Sequence, residues 1–81
     1  MQISVRVNGT LARGIGLTRF PAELPEPATG LDLIQWLEDE YPSLAPEIGK
    51  SVMVIDGQHQ SRSASLSDGQ EVSLLIPISG G

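Results

Sequence analysis

The residues best suited to chemistry are the last two, Gly80 and Gly81, which follow Pro77-Ile78-Ser79 at the end of an apolar run. Glycine has no side chain to dock and the most backbone freedom to lose. A Gly-Gly ending on a strand therefore offers one reactive group, the α-carboxylate of Gly81. Such a group has a reference pKa of about 3.3–3.7 and is ionised at neutral pH. An ionised carboxylate is a poor acyl electrophile and must be activated. The rest of the chain has no obvious means to do so: there is no GxxxxGK loop to hold a nucleotide. There is no cysteine either, so sulfur chemistry would need sulfur brought by another protein. Other candidates are weaker. His59 is the only histidine, and no ligand spacing around it makes a metal site, so no metal is expected. Ser61, Ser63, Ser65 and Ser67 lack an activating base. Glu38-Asp39-Glu40 reads as a solvated acidic face; as a docking patch it would bind a basic partner in a salt-sensitive way.

A reactive terminus needs a rigid body to carry it. With 81 residues and a hydrophobic fraction of 40%, there is room for one domain with a packed core. Five basic against ten acidic residues give a net charge of -5, which repels nucleic acid and anionic membranes and suits a basic protein partner. No signal peptide or spanning stretch is visible, so a cytoplasmic protein is expected.

Ile3, Val5 and Val7 alternate with polar residues, a half-buried strand. Ile15–Phe20 reads as a second strand, forming a hairpin with the first across a loop that starts at Asn8-Gly9. Pro21, Pro25 and Pro27 then favour an extended connector. A helix should start at Thr29, capped with help from Asp32, and end at Pro42. Leu33, Ile34, Leu37 and Tyr41 lie on one arc of it, with Trp36 at the edge. Val52–Ile55 is a strand closed by the Asp56-Gly57 turn. Residues 58–67 read as polar loop around a weak short strand, anchored by Leu66. Asp68-Gly69 turns into the last strand, Glu71–Ile76, and Pro77 ends its pairing. One main helix must cover one face of a mixed sheet of four to five strands. The crossover rule puts the last strand parallel to the first, at the sheet centre. The expected class is α+β, a β-grasp (ubiquitin-like) domain over residues 1–76, with 77–81 a flexible Gly-Gly arm. Val72, Leu74 and Ile76 should face the helix and Leu75 the open face. Leu75 and Phe20 are candidate partner-docking residues.

The ending DGQEVSLLIPISGG closely resembles that of the small subunit of molybdopterin synthase and its relatives, the ubiquitin-like sulfur carriers (MoaD/ThiS-like). The matching positions are Asp68, Gly69, Glu71, Val72 to Ile76, Pro77, Ser79, Gly80 and Gly81. Tyr41-Pro42-Ser43-Leu44 is similar to the family's helix end. This chain has Ile76 where the family strand often carries the first of two prolines.

The resemblance implies a carrier protein acting as co-substrate, not a stand-alone enzyme. A ubiquitin-activating-type adenylating enzyme would use ATP and Mg to convert the Gly81 carboxylate to an acyl-adenylate, with no cofactor bound by this chain. A persulfide sulfur donor would displace AMP and leave a thiocarboxylate. A sulfur-acceptor enzyme, such as a synthase large subunit, would take the sulfur. Molybdenum cofactor synthesis is the first expectation; thiamine, cysteine, thionucleoside and natural-product pathways remain open. Two rival functions share the tail: a protein modifier joined to lysines through Gly81, and a β-grasp interaction module whose Gly-Gly is incidental. From Pro77 to Gly81 the arm reaches about 13 Å, enough to enter a narrow cleft. Ile78 sits at its base, and small Ser79 and Gly80 could pass through the same channel.

Overall fold

The structure, a computed structural model, describes residues 1–77. Its elements in chain order are β1 (Gln2–Val7), α1 (Gly9–Ile15), β2 (Arg19–Glu23), α2 (Gly30–Glu40), a 3-10 turn (Pro42–Leu44), α3 (Ala45–Lys50), β3 (Val52–Ile55), β4 (Gln58–His59) and β5 (Glu71–Leu75). They build one sheet in the order β2-β1-β5-β3-β4. β5 runs parallel to β1 and antiparallel to β3, so the last strand lies at the centre. With α2 across one face, this is the expected β-grasp.

Alternation decides which face is buried. Ile3, Val5 and Val7 of β1, Val72 and Leu74 of β5, and Met53 and Ile55 of β3 all point inward. They meet Leu33, Ile34 and Leu37 of α2, Leu11 of α1 and Ile48 of α3. Trp36 and Tyr41 pack at the margin, and Ile76 is half-buried against the same core. The start of α2 is fixed twice. The Asp32 carboxylate accepts the Thr29 amide at 2.8 Å, one half of a capping box. The Gly30 and Leu31 amides then donate to the carbonyls of Ala64 and Arg62 at 3.0 and 2.8 Å. Segment 61–66 is therefore bolted to the helix, with Leu66 buried beneath it.

The N-terminal hairpin departs from expectation. Residues 9–15 are helical, and the second strand starts at Arg19, not Ile15. Leu11 is fully buried, with Ile15 packed one turn further on, and that burial holds a short, glycine-containing segment in a helix. Gly9 at φ +57 lets the chain turn straight from strand to helix, and Gly16 at φ +87 ends the helix. Gly9, expected in a turn, and Gly16, expected inside the second strand, are thus helix boundaries. Pro21 sits inside β2 opposite Ser4, tolerated because β2 is an edge strand. The shifted strand also corrects the reading of Phe20. It pairs with Val5, an inward residue, and is buried at 7% exposure. It stacks on Trp36 with ring centroids 6.3 Å apart. Phe20 is a core residue and offers no docking surface.

Candidate functional site

The candidate site is the place where β5 leaves the sheet. The strand ends at Leu75, Ile76 follows half-buried, and Pro77 is exposed. The expected arm residues Ile78, Ser79, Gly80 and Gly81 lie outside the described residues. What the fold contributes is the exit and the surface around it.

Three features define that exit. First, Leu75 is half-buried on the open face, paired with Val52 of β3, as the strand alternation predicts. Second, the Ile76 amide donates to Asn8 Oδ1 at 2.7 Å. Third, a surface groove of about 820 Å³ runs beside the exit, bounded by Arg6, Asn8, Thr18, Arg19, Ser73 and Leu75. Register explains the groove's charge. Arg6 lies opposite Arg19 on one side and beside Ser73 on the other. Like charges directly opposite each other are mildly unfavourable in a sheet. Glu71 offsets one of them, at 3.2 Å from the Arg19 guanidinium. That pair is about half exposed and contributes little to stability. Arg6 has no ion-pair partner among the described residues.

The other sequence candidates lie elsewhere. Glu38, Asp39 and Glu40 close α2, on the helix side of the sheet, and Asp39 accepts a bond from Gln35 at 3.0 Å. His59 is exposed on the two-residue strand β4. Among the described residues no three His, Cys, Asp or Glu side chains could hold a metal ion. Nor, among the described residues, is any helix long and apolar enough to cross a membrane. Asn8, Arg6 and Arg19 were not anticipated as a group. Alternation put Arg6 on the open face, but Arg19 joins it only through the true register of β2. Asn8 read as a turn residue alone.

The model of the ThiS family matches residues 5–81. The chain belongs to the ThiS family. Solved structures share its fold at low identity. A putative molybdopterin converting factor subunit 1 from Pyrococcus furiosus superposes with a TM-score of 0.85 at 21% identity, covering 96% of this chain and 99% of that one. SAMP1 from Haloferax volcanii has a TM-score of 0.84 at 20% identity, covering 100% of both chains. A chain from the complex of subunits 1 and 2 of molybdopterin-converting factor from Helicobacter pylori has a TM-score of 0.69 at 23% identity, covering 100% of both. Family match and fold agree: this is a small β-grasp protein of the ThiS family.

Proposed function

We propose that this protein is a sulfur carrier that works through the carboxylate of Gly81. An adenylating enzyme joins that carboxylate to the α-phosphate of ATP, with Mg, and releases pyrophosphate. The outer sulfur of a donor persulfide displaces AMP. A second thiol on the donor cleaves the resulting acyl disulfide, leaving a thiocarboxylate on Gly81 and a disulfide on the donor. The thiocarboxylate sulfur then bonds to an acceptor held by a partner enzyme, and water cleaves the acyl C–S bond, leaving the sulfur on the acceptor and regenerating the carboxylate. The observation that carries this reading is the family match, which runs through to Gly81. The fold supports it by ending the central strand β5 beside the open sheet face, with the chain exposed from Pro77.

Docking falls to the open face beside the exit. Leu75 and Val52 supply apolar contact there, and Arg6 and Arg19 supply charge. Net charge pointed to a basic partner, but charge at the exit is positive and fits an acidic surface. Synthesis of the molybdenum cofactor is the first pathway to test, since one structural relative is a chain from a complex of the two subunits of a molybdopterin-converting factor. The likeness to small archaeal modifier proteins supports a second reading, in which the activated Gly81 is joined to an amine on a target protein. Purified protein mixed with a candidate adenylating enzyme, ATP and Mg tests the shared step. Pyrophosphate released only when both proteins are present is the expected result. A persulfide donor or a lysine-bearing target then separates carrier from modifier.

A further inference from the structure

Asn8 directs its side chain away from its own helix. It is the N-cap residue of α1, a position where asparagine ordinarily accepts a bond from an amide in the first helical turn. Here the side chain makes no such bond. Its Oδ1 instead accepts the Ile76 amide at 2.7 Å, across 68 residues of sequence. Strand pairing ends at Leu75, and Pro77 has no N–H to donate. The Ile76 amide is therefore the last backbone donor before residues 78–81. Gly9 lies close beside it: a Cβ added there would be 3.7 Å from Ile76 Cβ. The bond is exposed, so burial does not demand it. A helix cap has been diverted to the point where the chain leaves the sheet.

We infer that Asn8 is a positioning residue for the terminal arm. Its bond to the Ile76 amide fixes the direction in which the chain leaves the sheet toward Gly81. This rests on the sulfur-carrier reading, in which Gly81 must reach a reacting phosphate in a partner's cleft. Small errors in such placement are costly, because reaction needs a near-attack geometry. Loss of this clasp trims one polar side chain from the groove rim but leaves the docking contacts Leu75, Val52, Arg6 and Arg19 in place, so docking survives while productive arrival of Gly81 becomes rarer.

The test uses the full chain with Asn8→Ala and Asn8→Asp, which keeps an acceptor oxygen. Amide hydrogen exchange is read at Ile76 relative to Val72 and Leu74 in the same sample. Thiocarboxylate formation is followed with adenylating enzyme, ATP, Mg and a persulfide donor. Asn8→Ala should speed Ile76 exchange about tenfold relative to the β5 reference amides. It should lower kcat about 3- to 10-fold, the fold-change of one ordinary hydrogen bond, with KM little changed. Asn8→Asp should restore both. In an Ile76→Pro background the donor is gone, and Asn8→Ala should have no further effect. An unchanged Ile76 ratio, an unchanged kcat, exchange that rises equally at Val72 and Leu74, or no rescue by Asn8→Asp would each overturn the inference. A wild-type chain that is never loaded sinks the carrier reading itself; a loaded wild type indifferent to Asn8→Ala sinks this inference alone.

Discussion

Phe20→Ala separates a core role from a docking role. The ring is 7% exposed, pairs in register with Val5 and stacks on Trp36 at 6.3 Å. Truncating a buried phenylalanine costs about 3–5 kcal/mol, from lost burial plus the cavity left behind. β2 is an edge strand and can collapse partly into the space, so the lower end, about 3 kcal/mol, is expected. A domain of 81 residues has a total stability on the order of 4–12 kcal/mol, so the loss is a large fraction. With a urea m-value of about 1 kcal/mol/M, the midpoint should fall by about 3 M with m unchanged. The melting temperature should drop by roughly 12–24 °C. Leu75→Ala, on the open face, should cost about 1 kcal/mol or less, yet weaken partner binding more than Phe20→Ala does per folded molecule. Stability within about 0.5 kcal/mol of wild type for Phe20→Ala, the range of ordinary surface substitutions, would refute the packing argument.

Gly30→Ala should destabilise by about 1–3 kcal/mol, as overpacking does. An added Cβ would lie 2.8 Å from the Arg62 carbonyl oxygen and 2.6 Å from Met53 Cε. That carbonyl is already held by the Leu31 amide; thermal melting reads the loss. Arg6→Glu should raise KM for the adenylating enzyme about tenfold at low salt and shrink its salt dependence, since it reverses charge on the docking face. A salt-independent KM in wild type would argue against an acidic partner surface. Gly81→Ala should melt like wild type and load sulfur at least about tenfold more slowly, because a methyl group restricts the backbone path into a narrow cleft. Normal loading of that variant would remove the cleft argument.

Much of the fold was legible because local and global signals agree. Val72 and Leu74 alternate correctly against Ser73 and Leu75, and the crossover rule then places β5 beside β1. The Thr29 and Asp32 pair marks the helix start, and Pro42 marks its end. The short helix α1 was hidden because Gly9, Gly14 and Gly16 are poor helix formers. Tertiary burial of Leu11, with Ile15 packed beside the core, holds it. That hidden helix displaced the start of β2, and the register of the true strand, with Phe20 opposite Val5, is what assigns Phe20 to the core. Asn8 was invisible for a different reason. Its partner Ile76 is 68 residues away, and no local pattern encodes that contact. The family was the clearest signal, because the pattern from Asp68-Gly69 to Pro77 and Gly80-Gly81 needs no fold to be read, and the ThiS model matches residues 5–81.

The central claim concerns one atom at the end of the chain. Intact mass spectrometry of the protein purified from its native host tests it directly. The carrier account predicts a population in which one terminal carboxylate oxygen is replaced by sulfur, lost on hydrolysis and absent when the cognate adenylating enzyme is deleted. Only the free carboxylate, or only conjugates joined through Gly81 to target amines, would contradict it.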